Sequence, residues 1–134
     1  MEEASQIQPG CNGVWIVPEL FRGGLWGKEG NINGLTHEVN RGHIYRAAIE
    51  SLCFSLGNGL EKLQAVSNHK ASSLICVGGG SKNTLWNQIR ADVTGIPVLV
   101  SDIMEATAMG AAIAATTSNA ADRNFICRRI YEPL

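Results

Sequence analysis

The chain has 134 residues, of which 45% are hydrophobic and 17% charged, with a net charge of −1. That composition excludes a wholly disordered chain, and the near-neutral charge gives no electrostatic basis for binding nucleic acid or a membrane surface. The length suits one domain able to bury a core. No apolar run approaches a membrane span, and the acidic start Met1-Glu2-Glu3 is unlike a signal peptide, so a cytoplasmic protein is expected. Cys11, Cys53, Cys76 and Cys127 lie far apart without CxxC spacing and read as reduced thiols rather than disulfides or zinc ligands.

Residues 1–12 are polar, contain Pro9-Gly10, and read as a loop or a severed interdomain linker. Val14 to Val17 predicts a short strand that ends at Pro18, which has no N–H to continue a ladder. The stretch from Phe21 to Asn33 is glycine-rich and reads as a loop, with a second short strand over Ile32 to Thr36. A long helix follows from about Asn40 to Val66. Its apolar residues Tyr45, Ala48, Ile49, Leu52, Cys53, Leu56, Leu60 and Leu63 step by three and four along one stripe. Gly57 and Gly59 each weaken that helix by about 1 kcal/mol relative to alanine, so a bend is expected there and burial must hold it. After a polar connection, Leu74 to Val77 predicts a strand. A helix from Lys82 to Thr94 follows, capped by Ser81 and stopped by Gly95. Ile96 to Val100 predicts another strand, and Glu105 to Thr117 a third helix with a bare face at Ala106, Gly110 and Ala114. Strand, helix, strand, helix over 74–117 is the order of parallel strands with crossover connections. Residues 118–134 form a tail without a clear pattern.

The most informative stretch is Leu74-Ile-Cys-Val-Gly-Gly-Gly-Ser-Lys-Asn-Thr-Leu-Trp86. An apolar run ends in Gly78-Gly79-Gly80, and a helical pattern begins at once. Glycines permit φ > 0 and remove every Cβ, so another group can come close to the peptide N–H groups. Free amides at a helix N-terminus favour anions, which is the chemistry of a phosphate site. A turn that needs glycine only for close packing explains the same residues.

The whole run VGGGSKNTLWNQIRADVTGIPVLV, with EATAMGAAIAA after it and RGHIYRAAIESLCFSL before it, resembles the FGGY family of carbohydrate kinases. The resemblance runs from about Gly10 to Ala115, and HKASSLICVGGGSKNTLWNQI with GHIYRAAIESL is most similar to the L-fuculokinase branch. It implies an α/β fold of the actin, hexokinase and Hsp70 (ribonuclease H-like) ATPase class. Residues 13–117 would be the C-terminal half of a two-domain sugar kinase, between the segment 1–12 and a divergent or truncated tail at 118–134. The implied ligands are ATP with Mg2+, and the implied partner is an N-terminal domain holding most of the sugar site and the catalytic aspartate. No catalytic residue or metal ligand is therefore expected in this chain, which alone should have little or no kinase activity. For the intact enzyme the resemblance implies phosphorylation of L-fuculose to L-fuculose 1-phosphate, with xylulokinase or rhamnulokinase chemistry as the alternative.

The same resemblance places Gly78, Gly79 and Gly80 in the ATP site, Gly79 and Gly80 presenting amides to the phosphates and Gly78 making the turn possible, with Ser81 on the phosphate or ribose side and Asn83 and Thr84 at the adenine or ribose. Lys82 on the first turn reads as a solvated lysine, and Trp86 as a core residue rather than a flank of the nucleotide. Glu105 and Thr107 open the last helix, where a carboxylate complements the helix dipole without any catalytic part. Glu19 and Arg22 are at most minor ligand contacts. Asp92 reads as a surface residue, and His37, His43 and His69 lack metal-ligand spacing. Two other readings stay open: a non-catalytic nucleotide-binding or interaction fragment, and half of a Rossmann dehydrogenase. The second lacks GxGxxG spacing, although Asp102 lies near the place of its ribose-binding acid.

Overall fold

A computed structural model of the chain describes residues 2–18, 30–101 and 106–116. Glu19, Arg22, Asp102, Glu105, Cys127, most of the glycine-rich loop and the tail 118–134 lie outside the described residues, as does the side chain of Thr107. The helices are α1 (Glu2–Ser5), α2 (Arg41–Ser67), α3 (Thr84–Thr94) and α4 (Ala106–Thr116). The strands are β1 (Trp15–Val17), β2 (Asn31–Asn33), β3 (Leu74–Cys76) and β4 (Val98–Val100), and 3-10 turns cover Cys11–Gly13 and Gly79–Lys82.

Contacts divide the chain into two units, one of residues 1–74 with 83–98 and one of 75–82 with 99–134. In the first, α2 is the hub, with α1, the 11–13 turn, β1 and α3 packed on it. Its start is fixed by Asn40, whose Oδ1 accepts from the amides of Gly42 at 2.9 Å and His43 at 3.2 Å. His43 Nδ1 returns a bond from the Asn40 amide at 3.3 Å, filling the place a Glu or Gln usually takes in a capping box. At the far end Asn68 adopts the left-handed conformation (φ 55°), a common way to end a helix. Gly57 and Gly59 lie within one unbroken helical span.

The stripe expected on α2 is corrected in part. Ile49 and Cys53 are buried, but Tyr45, Leu52, Leu56 and Leu63 are exposed. The buried face instead runs through Gly42, Arg46, Ala47, Ile49, Glu50 and Cys53. Two charged residues belong to that face because they neutralise each other, and hydrophobic periodicity gives such a pair no weight. Ile49, Cys53 and Ile89 form one core cluster, with Leu85, Trp86 and Val93 packed on it. A second cluster joins Cys11, Val14 and Ala47, with Ile16 and Val39 against it.

Residues 2–12 are more than the loop read from their polarity. Ala4 in α1 is buried against the start of α2, and a Cβ on Gly42 would meet the Glu3 backbone at 3.2 Å. The exposed pair Arg41–Glu3, with Nε to Oε2 at 2.7 Å, spans the same junction, and the hydrogen bond from Arg41 holds the Glu3 carboxyl below the usual carboxylate range. β1 pairs antiparallel with β2 in the register Trp15 to Asn33, Ile16 to Ile32 and Val17 to Asn31. The second strand therefore lies slightly earlier than Ile32 to Thr36, because Gly34 turns the chain away at φ +78°.

β3 and β4 pair with each other. The Leu74 amide donates to the Pro97 carbonyl at 2.8 Å and the Ser101 amide to the Cys76 carbonyl at 3.1 Å. Both bonds advance in the same direction along the two strands, so the strands run parallel with α3 as the crossover. Proline at 97 is tolerated because only its carbonyl is needed. In the second unit the glycine turn follows β3, and α4 follows β4 after the undescribed residues 102–105.

One crossing sets a sharp steric limit. A Cβ on Gly34 would sit 2.1 Å from the Gly13 carbonyl oxygen, at a φ that L-residues avoid. Gly59 faces open space and has no such constraint. Gly34→Ala should lower the unfolding free energy by about 2 kcal/mol or more, and Gly59→Ala should raise it by about 0.5–1 kcal/mol. Urea denaturation of the two variants side by side checks both signs.

Candidate functional site

The turn after β3 is built by its first glycine. Gly78 has φ +81°, a value that favours glycine, and its carbonyl points back to close the turn. The Ser81 amide donates to that carbonyl at 3.1 Å and the Ser81 hydroxyl at 2.7 Å. Bonds in a 3-10 turn run from residue i+3 back to i, so the turn itself uses neither the Gly79 nor the Gly80 amide. A Cβ on Gly78 or Gly79 would meet no atom within 4 Å, and Gly79 has no positive φ. Among the described residues, neither packing nor backbone conformation requires glycine at 79. Its lack of a side chain keeps a space clear in front of the amides, as an external group would need.

Ser81 is buried and its hydroxyl donates to the Gly78 carbonyl. The expectation that it caps the following helix is corrected: Asn83 is the N-cap, accepting from the Trp86 amide at 3.1 Å, and the helix starts at Thr84 rather than Lys82. The two extra residues went into the 3-10 turn, a pattern that strand-to-helix periodicity does not distinguish from a first α-turn. Asn83 also donates through Nδ2 to the Tyr45 hydroxyl at 3.0 Å, so both ends of its amide are engaged. That bond ties the start of α3 to α2. Thr84 is exposed in the first turn of α3, and Lys82 is exposed in the 3-10 turn.

Trp86 packs on the α2–α3 core cluster, as the core reading expected, and the Arg90 guanidinium lies 4.4 Å from its ring centroid. Asp92 is exposed and accepts from Gln88 Nε2 at 2.8 Å. His43 belongs to the helix cap. Among the described residues, no three His, Cys, Asp or Glu side chains are grouped to hold a metal ion, and no helix is long and apolar enough to cross a membrane.

Sequence reasoning missed a polar assembly in the first unit. Arg46 Nε donates to Glu50 Oε1 at 2.7 Å, and both residues are buried. Glu50 also accepts from the Gly10 amide, at 3.1 Å through Oε2. Gly10, Cys11, Asn12 and Gly13 all have positive φ, a left-handed turn that delivers Cys11 into the core. Burial, then the neighbouring Glu50 charge and its hydrogen bond, push the Cys11 thiol up from 9.0 to about 12, with Arg46 opposing. The signals were present as charges four apart in Arg46-Ala-Ala-Ile-Glu50 and as glycines bracketing Cys11-Asn12.

A strand, a glycine turn and a helix that crosses over to a parallel strand make an α/β unit. Residues 4–118 match the C-terminal domain of the FGGY family of carbohydrate kinases, and the chain belongs to that family. It is 45% identical over 113 residues to the L-fuculokinase of Escherichia coli K12, a match covering 84% of this chain and 23% of that enzyme. The autoinducer-2 kinase of Salmonella typhimurium LT2 is 38% identical over 117 residues, covering 84% of this chain and 22% of that protein. Among solved structures, Plasmodium falciparum glycerol kinase with ADP superposes at a TM-score of 0.70 with 23% identity, over 99% of this chain and 33% of its own. The fold is thus the actin- and hexokinase-like fold of FGGY sugar kinases, and the chain spans about a quarter of the length of the curated relatives it matches.

Two outcomes follow from the local chemistry. Asn83→Ala should cost about 1 kcal/mol through the lost cap, read as a lower midpoint in urea denaturation. Cys11 has a folded pKa above its unfolded one, so its contribution is complete below pH 9.0 and disappears as pH rises toward about 12. Unfolding midpoints measured from pH 8 to 11 should fall more steeply for the native chain than for Cys11→Ala.

Proposed function

We propose that the chain is the nucleotide-binding, C-terminal part of an ATP-dependent carbohydrate kinase whose substrate is L-fuculose. The observation that carries the reading is the glycine turn, whose own bonds use neither the Gly79 nor the Gly80 amide and where a Cβ at 79 would meet no atom within 4 Å, in a chain of the FGGY family. The turn fits a phosphate group, since backbone N–H donors bind anions without a counter-charge that must itself be buried. Gly78 sets the turn, and Ser81 holds it through the Gly78 carbonyl. Asn83 contributes by fixing the start of α3, its amide being engaged at both ends, and Thr84 offers an exposed hydroxyl to the ribose or adenine.

When bound, ATP supplies the transferable phosphoryl group, and Mg2+ accompanies its phosphates. Magnesium keeps several waters and takes few protein ligands, which is compatible with the lack of a metal-holding cluster among the described residues. The residues of the turn orient the phosphates and present donors where negative charge must be stabilised. The base that accepts the sugar hydroxyl proton belongs, in this reading, to an N-terminal domain outside the chain. The substrate assignment follows the L-fuculokinase similarity of 45% against 38% for the autoinducer-2 kinase.

Calorimetric titration of the purified chain with Mg·ATP tests the reading. Binding should be measurable, and Gly79→Val should weaken it by about tenfold or more, because a side chain there occupies the space before the amides. The variant should unfold at the native midpoint, since no atom lies within 4 Å of that Cβ. No heat with ATP up to millimolar concentration, or equal affinity for NADH, would overturn it. The chain alone should show no turnover of L-fuculose, and near-kinase rates would disprove the division of the site between two domains.

A further inference from the structure

Asparagine followed by glycine occurs at Asn12-Gly13, Asn33-Gly34 and Asn58-Gly59. In such a pair the glycine nitrogen can attack the asparagine side-chain carbonyl, because no side chain on the glycine shields that nitrogen. The nucleophile is the amide after loss of its proton, so a hydrogen bond that holds the proton protects the pair. The fold treats the three amides differently. Gly13 donates to the Gly10 carbonyl at 2.9 Å. Gly59 lies inside α2, where each amide donates one turn back along the helix. Gly34 follows the last residue of β2, and among the described residues its amide has no hydrogen-bond partner.

Two further features bear on this pair. Gly34 is exposed and Asn33 half-buried, so solvent reaches the reacting atoms. The Asn33 side chain donates from Nδ2 to Asn31 Oδ1, an exposed bond that involves no backbone atom. A change of side-chain rotamer breaks it and frees the carbonyl for attack. The second feature is steric. A Cβ on Gly34 would sit 2.1 Å from the Gly13 carbonyl oxygen, so the crossing of the two segments demands glycine after Asn33. The reactive pairing is therefore built into the hairpin and cannot be relieved by a larger residue at 34.

We propose that Asn33-Gly34 is a self-modification site, converted without an enzyme to aspartate and isoaspartate through a succinimide. The Gly34 nitrogen gives its proton to a solvent base and attacks Asn33 Cγ. The new C–N bond closes the imide as the Cγ–Nδ2 bond breaks and ammonia leaves. Water then adds to one of the two imide carbonyls. Opening at Cγ leaves aspartate in a normal backbone; opening at the Asn33 main-chain carbonyl leaves isoaspartate, with the chain running through the former side chain. Either product places a new negative charge beside Asn31. Isoaspartate also inserts one methylene between the residue paired with Trp15 and the glycine that crosses Gly13, where no space is spare. Strand pairing tolerates no such change of register, so β1 and β2 loosen as this product accumulates.

The test holds the full 134-residue chain in mildly alkaline buffer, digests samples at acid pH and maps aspartate and isoaspartate at the three positions by mass spectrometry. In the folded chain Asn33 should convert at least about threefold faster than Asn12, the order of protection that one amide hydrogen bond gives, and faster still than Asn58. In urea that lead should vanish, since the β-branched Ile32 before Asn33 gives it no intrinsic advantage. Converted protein, separated by its extra negative charge, should exchange the amides of β1 faster than the starting chain. Asn33→Gln, whose longer side chain disfavours ring closure, should keep β1 exchange at its starting value over the same period. Conversion at Asn33 no faster than at Asn12 in the folded chain, a lead that persists unchanged in urea, or conversion that leaves β1 exchange unaltered would overturn the proposal.

Discussion

Glu50 is a carboxylate inside a small unit, and a buried charge is tolerated only when paired and hydrogen-bonded. Arg46, one helical turn earlier on α2, meets the first need, and the Gly10 amide meets the second. The second bond reaches forty residues back along the chain and decides where the N-terminal segment lies on α2. With Gly10 held there, the left-handed turn through Gly13 places Cys11 and Val14 in the core and starts β1 along the helix. β2 and the Gly34–Gly13 crossing both depend on where β1 begins. Replacing the pair with apolar residues could preserve packing, but removing one partner leaves the other charged and buried, the costlier outcome.

Much of the element order was legible because it is written in local chemistry. Asn40 and Gly95 announce the start of α2 and the end of α3, and each does so by a backbone conformation or a cap that few residues supply. The strand–glycine–helix passage was equally plain, since periodicity changes there from two to nearly four. Other features were hidden because they depend on contacts distant in sequence. Glu50 and Gly10 pair across the fold, and no spacing rule links them. The buried face of α2 was read one residue astray because two charges occupy it. Polarity made residues 2–12 look like a loop, whereas Ala4 and Cys11 are buried.

The candidate site shows the same division between residue type and residue task. The glycines were singled out by type, and the structure adds that, among the described residues, neither a contact nor a positive φ requires glycine at 79. Ser81 and Asn83 were also singled out, but their tasks are exchanged relative to the sequence expectation: the serine closes the turn and the asparagine caps the helix. Both are short polar side chains suited to either task, and only the length of the 3-10 turn decides between them. The bond from Asn83 to Tyr45 could not be read at all, since it joins residues 38 apart.

Among the described residues one edge of β1 has no strand partner, which bears on production of the protein rather than on its chemistry. A strand edge with outward N–H and C=O groups beside the exposed Trp15 can pair with any extended chain, including an unfolded copy of itself. β1 has no lysine or inward-pointing charge to repel such pairing; its residues are Trp15, Ile16 and Val17, followed by a single proline. The solubility of the isolated chain therefore depends on concentration and on the folding of its neighbours. At high concentration it will tend to precipitate by edge-to-edge strand addition before any loss of helix, so light scattering would register the change earlier than circular dichroism.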